Sequence, residues 1–288
     1  MLKLVRRCLG KWLTRLPSYG LANAQYGLFC EMARFLVVTL DDRFKDPKRL
    51  LKYRGSLNSQ GDEDGIIHEI FRRIGTTNRV FVEIGVGDGT ENNTAFLASQ
   101  GWTGYWIDAD PAPLRTLQRH PALQHSVKFR RAFVTRENIV GILNEMNVPA
   151  EFDFLSIDID YNTYHIWSAL SEFRPLAVCV EYNSFLGPSI NWVVPYDPEK
   201  IWDGSRIFGA SLKALELLGA KMGYSLVGCD FSGVNAFFVR EDLTADRFAE
   251  PFTSENHYEP PRLIHGLYSP HFYRSWLPCS DVACIQQK

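Results

Sequence analysis

Between Val80 and Thr94 the chain reads VFVEIGVGDGTENNT, in which Glu83 is followed by three glycines at alternate positions, Gly85, Gly87 and Gly89. Glycines so spaced let the backbone turn tightly and let a ligand lie directly on it. A dinucleotide fingerprint of the GxGxxG type would need its third glycine at position 90, where this chain has Thr90, so the spacing argues against a nicotinamide loop. The pattern is ExGxGxG instead. Glu83 and Asp88 add negative charge to the loop, which suits a ligand carrying an ammonium or sulfonium group better than a pyrophosphate. The plainer alternative is a glycine turn that only joins strand to helix.

Further acids follow at intervals. Asp108 lies 19 residues beyond Gly89, where a carboxylate after the next strand accepts the hydroxyls of a ribose. The stretch SIDIDYNTYHIW holds Asp158, Asp160 and His165, and VEYN holds Glu181 and Asn183. A carboxylate or imidazole at such a place can take the proton of an attacking hydroxyl. The oxygen donors of Asp158, Glu181 and Asn183 suit Mg²⁺ or Ca²⁺. Each residue also has a bland reading. Asp160 suits a cap for a helix starting near Asn162, His165 beside Trp167 suits a packed histidine, and Trp192, Tyr196 and Trp202 either stack on an acceptor or pin their own loop.

Something must hold these residues together, and the pattern from Asp62 onward supplies it. EDGIIHEIFRRIG places Ile66, Ile67, Ile70, Phe71 and Ile74 at helical spacing and stops at Gly75. Short β-rich runs follow at 79–85, 104–110, 127–134, 152–160 and 176–183, with helix-like segments between them. That alternation predicts βαβ units and a parallel sheet covered on both faces. After an amphipathic helix over 209–223, YSLVGCD and VNAFFVR are separated by only FSG, too short for a parallel crossover, so the last two strands form an antiparallel hairpin. The fold class is therefore α/β, a doubly wound, Rossmann-like, mostly parallel seven-stranded sheet ending in that hairpin. In such a sheet ligands bind beyond the carboxyl ends of the strands, which is where the acids stand. Residues 184–204 form a long Pro-, Gly- and aromatic-rich loop of the kind that carries function.

FVEIGVGDGTENNT…GWTGYWIDADP resembles the first two motifs of class I S-adenosylmethionine-dependent methyltransferases, in particular the FkbM-like group, and SQGDEDGII at 59–67 resembles a segment that precedes the fold in related proteins. The likeness covers about residues 56–242, and the hairpin fits the family's strand order 3-2-1-4-5-7-6. It implies that Glu83, Gly85, Gly87 and Gly89 surround the amino-acid part of S-adenosylmethionine and that Asp108 holds its ribose. The chain departs from the group in ending its second strand on IDADP, where Asp108 and Asp110 both stand, rather than on Glu-Pro. Catechol O-methyltransferase and its relatives hold Mg²⁺ with acids and an amide at the ends of the fourth and fifth strands, and Asp158, Glu181 and Asn183 occupy comparable points here. The expected activity is O-methylation of a glycan or natural-product-like hydroxyl acceptor, with Asp158, Asp160 and His165 activating the acceptor. The rival readings are a nicotinamide- or nucleotide-sugar-binding oxidoreductase, and a non-catalytic domain recruited to a membrane.

Composition narrows the partners. The 288 residues carry a formal charge of -2, which points to no nucleic-acid partner. The first thirty residues hold five Lys/Arg and no acid, with apolar residues near helical spacing, and fit either a helix lying on an anionic membrane surface, a transit peptide or a helix packed on the domain. The expected division is a basic extension over 1–55, the Rossmann-like domain over 56–245 and an irregular tail over 246–288. The six cysteines form no CxxC pair, and Cys179 and Cys229 in apolar runs read as reduced core thiols of a cytoplasmic protein, with a Cys279–Cys284 disulfide as a lesser alternative.

Overall fold

In a computed structural model of the protein, residue 36 and residues 39–262 are described. The basic N-terminal stretch, expected as a helix or a transit peptide, and Cys279 and Cys284 lie outside them. The chain divides at Asp46/Pro47. The strands are β1 (Val80–Ile84), β2 (Thr103–Asp108), β3 (Val127–Arg131), β4 (Phe154–Ile157), β5 (Ala177–Glu181), β6 (Tyr224–Cys229) and β7 (Asn235–Arg240), in one sheet of order β3-β2-β1-β4-β5-β7-β6. The first five are parallel, and β7 runs antiparallel to both β5 and β6, as the short FSG link requires. The protein is thus an α/β, doubly wound, Rossmann-like fold with a terminal hairpin.

Strand alternation sorts the side chains between two faces. Val82, Ile84, Leu155, Ile157, Val178, Val180, Ala236 and Phe238 join one core with Trp167 and Leu215. Trp167 sits on α6 (Thr163–Ala169), and its ring lies 4.8 Å from that of Phe238. Leu215 belongs to α7 (Leu212–Met222), which Ser211 caps by accepting from the Ala214 N–H and Gly223 ends in the left-handed conformation. The opposite face is covered by α1 (Glu63–Ile74), whose Phe71 ring meets Phe154 at 5.9 Å. Its apolar residues cover only part of that face. Toward the carboxyl ends of the strands the face turns polar, with Glu83 in register with Ser156, Ser156 with Cys179, and Glu181 with Asn235.

The segments flanking the sheet pack on it. Leu50 lies against Gly228 in β6, the Tyr182 hydroxyl donates to the Glu259 carbonyl, and Tyr258 donates to the Ser184 carbonyl. Residues from Pro47 and up to Arg262 therefore belong with the sheet. No helix among the described residues is long and apolar enough to cross a membrane.

Candidate active site

The three glycines of the opening motif do different work. A Cβ on Gly85 (φ +84°) would stand 1.7 Å from the Asp158 carbonyl oxygen, so glycine here lets the β1 loop press against the end of β4. A Cβ on Gly89 would stand 2.9 Å from the Trp106 ring, which makes Gly89 a packing position. A Cβ on Gly87 would meet nothing within 4 Å, so this exposed glycine is the one that offers bare backbone to a ligand. Asp108 holds the loop in place: its Oδ2 accepts from the Val86 and Gly87 N–H groups at 2.7 and 2.9 Å, and its Oδ1 from Asp110 N–H at 2.8 Å. Asp110 accepts from the Ala112 N–H, at the start of α3 (Ala112–Arg119), in a turn of its own.

Glu83 is buried to 1 % exposure and accepts from the Asn93 N–H at 2.9 Å, from the Thr94 hydroxyl and from the Asn92 amide. Thr94 in turn accepts from the Trp106 indole at 2.8 Å. These bonds hold residues 92–94 out of helix, so α2 (Ala95–Ser99) begins later and is shorter than the run ENNTAFLASQG suggests. Burial pushes the Glu83 carboxyl up to about 7, against the pull of its donors. The side chain expected to surround the cofactor is thus buried in the fold as the anchor of the turn that follows the glycine loop.

Asp158, Asp160 and Glu181 come together with ligand oxygens all within 4.8 Å of one another. The Asp158 N–H bonds the Ile84 carbonyl at 2.8 Å, which extends the ladder by one residue past β4. Asp160 takes a positive φ of 62° two residues on, a conformation that aspartate tolerates. Asn162 begins α6 without a side-chain cap, and no capping bond to Asp160 is formed. Among the described residues no Lys, Arg or His pairs with any of the three acids. Asp160 is exposed and Asp158 half-buried, whereas Glu181 Oε2 is sealed from solvent and has no hydrogen-bond partner. Burial first, then the charges of Asp160, Glu83 and Glu63, pushes the Asp158 carboxyl up to about 7. Glu181 is held well above the usual carboxylate range by burial and then by Asp158 and Asp160, and Asp160 is raised by burial.

The long loop doubles back over this end of the sheet. Val193 bridges to Ala210, the Asn162 amide donates to the Asp197 carbonyl at 2.7 Å, and a Cβ on Gly209 would lie 3.8 Å from the Asp160 carbonyl. Asn183 spends its amide here. Its Nδ2 donates to the Arg206 and Phe208 carbonyls at 2.8 and 3.0 Å, and its Oδ1 accepts from Phe185 N–H, so it shapes the loop beside the acids. In the expected metal set it is Asp160 that the geometry brings to Asp158 and Glu181. His165 bonds the Val194 carbonyl through Nε2 at 2.8 Å and packs 5.1 Å from the Tyr196 ring. It lies outside the acid cluster, and its contact is with the loop. Burial pushes its imidazole down, toward the neutral form. Tyr196 also reaches Glu137 and Arg136, while Ile201, Trp202 and Ile207 stay exposed at the loop's tip.

Two side chains that sequence reasoning left without a role lie on the same face. Glu63, in the SQGDEDGII segment, bonds Asn235 at the start of β7. Three acids at the start of a helix read as ordinary first-turn charge, and nothing in the sequence marks the second as turned inward.

No family model matches the chain, and no curated protein does. Solved structures similar to it include the N-terminal domain of EvdMO1 with SAH bound, at 14 % identity over 63 % of this chain and 80 % of that one with a TM-score of 0.38. A SAM-dependent methyltransferase from Aquifex aeolicus has 12 % identity over 71 % and 96 % at 0.37, and the O-methyltransferase TomG from Streptomyces achromogenes in complex with SAM has 20 % over 42 % and 55 % at 0.30. The last two are methyltransferase structures, and the first holds SAH. At these TM-scores the likeness decides nothing about the site, which stands on its own residues.

Proposed function

We propose that the chain transfers a methyl group from S-adenosylmethionine to a hydroxyl of a glycan or natural-product-like acceptor. The observation that carries this reading is the open backbone of Gly87, held by Asp108 at the end of β1, next to acids that no cation among the described residues neutralises. A sulfonium donor brings positive charge to that place, where a pyrophosphate would bring two further negative charges against Asp88, Asp108 and Asp158. Methyl transfer is an in-line displacement whose barrier falls largely through positioning. Asp158 or Asp160 accepts the proton of the acceptor hydroxyl as its oxygen attacks the methyl carbon and the bond to sulfur breaks. A carboxyl raised to about 7 is matched to that task near neutral pH. The looped segment 184–209 covers the site, and its exposed Trp202 offers a ring on which a sugar can stack.

Three carboxylates with converging oxygens also fit a hard divalent ion such as Mg²⁺. Asp158, Asp160 and Glu181 would hold it. Bound there, it would lower the pKa of the acceptor hydroxyl. Calorimetric titration with S-adenosylhomocysteine and with NAD tests the donor: the first binds at micromolar strength and the second does not. Binding of NAD alone overturns the reading in favour of an oxidoreductase. The metal part fails if EDTA leaves turnover unchanged and Asp158→Asn and Glu181→Gln are both fully active.

A further inference from the structure

The SQGDEDGII segment has no part in the reaction above, yet it brings another acid to the same face of the sheet. Glu63, the first residue of α1, is 4 % exposed; its Oε2 accepts from the Gly61 N–H at 3.0 Å and its Oε1 from the Asn235 amide at 3.0 Å. Asn235 stands directly opposite Glu181 in the antiparallel β5–β7 ladder. Residues so paired carry their side chains on one face, with Cβ atoms about 5 Å apart. A carboxylate takes only donors, so the bond to Glu63 fixes the Asn235 amide with its NH2 toward Glu63. The amide oxygen then has no partner, in a residue only 4 % exposed, and Glu181 Oε2 across the ladder is in the same condition. The Glu63 charge also acts on Asp158. Acceptors buried without donors are costly, because their lost hydration is not replaced. A positively charged group with several N–H donors removes that cost for all of them together.

We propose that Glu63 and Asn235 recognise a primary ammonium, that of the amino-acid part of S-adenosylmethionine; this rests on the methyl-donor reading above. An ammonium offers one positive charge and three donors, which match the Glu63 carboxylate, Asn235 Oδ1 and Glu181 Oε2 in sign and number. A divalent ion suits this point less, because the carboxylates whose oxygens converge are Asp158, Asp160 and Glu181, and Glu63 is not among them. The N-terminal segment would thereby read the cofactor's amine while the glycine loop reads its remainder.

Titration of the full chain with three probes separates the parts. S-Adenosylhomocysteine has the ammonium and the carboxylate, its decarboxylated analogue has the ammonium alone, and methylthioadenosine has neither. Glu63→Gln and Asn235→Ala are each expected to weaken the first two by roughly 10- to 100-fold and to leave methylthioadenosine within about twofold. Glu63→Asp, which keeps the charge, retains part of the discrimination. Unchanged affinity for the amines overturns the proposal, and so does an equal loss for all three probes, which would make the pair merely structural. Should Glu63→Gln not fold, Asn235→Ala decides. A wild-type chain that fails to bind S-adenosylhomocysteine sinks the donor reading itself, whereas normal wild-type binding with indifferent variants sinks only this assignment.

Discussion

Glu83 on β1 and Asp158 just past the end of β4 lie on the same face of one sheet, and burial lifts both carboxyls to about 7. Their surroundings differ. Glu83 collects donors from Asn92, Asn93 and Thr94, while Asp158 stands among like charges, with Asp160 and Glu181 converging on it and no cation paired to it among the described residues. A buried charge with its lone pairs met is part of the fold, and a group of like charges with no described partner of opposite sign is suited to accept one. The contrast separates an acid that shapes the site from acids left open for the part proposed above, although all three strand ends read alike in the sequence.

The largest test of that contrast is on stability. Glu83→Ala removes the acceptor for three donors in a fully buried place and should cost about 3–5 kcal/mol, read by urea unfolding at constant slope. Asp158→Asn removes a like charge from an unpaired cluster and should leave the unliganded protein as stable or about 0.5–1 kcal/mol more so, while turnover falls about 100-fold or more. Equal destabilisation by the two changes would abolish the distinction.

Next come the glycines. Gly85→Ala drives a methyl into the Asp158 carbonyl and should cost about 3 kcal/mol or more. Gly87→Ala meets no atom within 4 Å and pays only for its positive φ of 65°, about 1 kcal/mol. Its main effect falls on binding of S-adenosylhomocysteine. A stable Gly87→Ala protein that binds as tightly as wild type would mean that the ligand does not lie on this loop.

The sheet was legible because its signals are local: apolar runs bounded by Gly and polar residues, and a link too short for a crossover between the last two strands. The strand-end rule then placed Asp158 and Glu181 near each other before any coordinates. Three features of the site were not legible, for one physical reason. Whether Glu83 turns inward to Thr94, whether Asn183 spends its amide on the carbonyls of Arg206 and Phe208, and whether Glu63 reaches Asn235 all depend on contacts between residues distant in sequence or on loop geometry. Asp160 illustrates the limit. Read as a helix cap or as a base, it could be settled only by its positive φ, which swings it beside Asp158 and away from the start of α6.

The smallest effect is on pH dependence, and it divides the two groups of acids again. A carboxyl whose folded-state pKa is raised binds a proton that the unfolded chain has already lost. Its contribution to stability is complete below about pH 4, near the ordinary carboxylate values, and is lost as pH rises to about 7. Thermal midpoints of the unliganded protein should therefore fall by a few degrees across that window. Glu83→Gln should remove part of the slope, and Asp158→Asn another part. Saturating Mg²⁺ should act on one part only. It favours the ionised forms of Asp158, Asp160 and Glu181, so their share of the slope should flatten or reverse, while the share from Glu83, closed off by Asn92, Asn93 and Thr94, should persist. A slope that Mg²⁺ leaves untouched, with Asp158→Asn still reducing it, would mean that the three acids titrate together but hold no divalent ion.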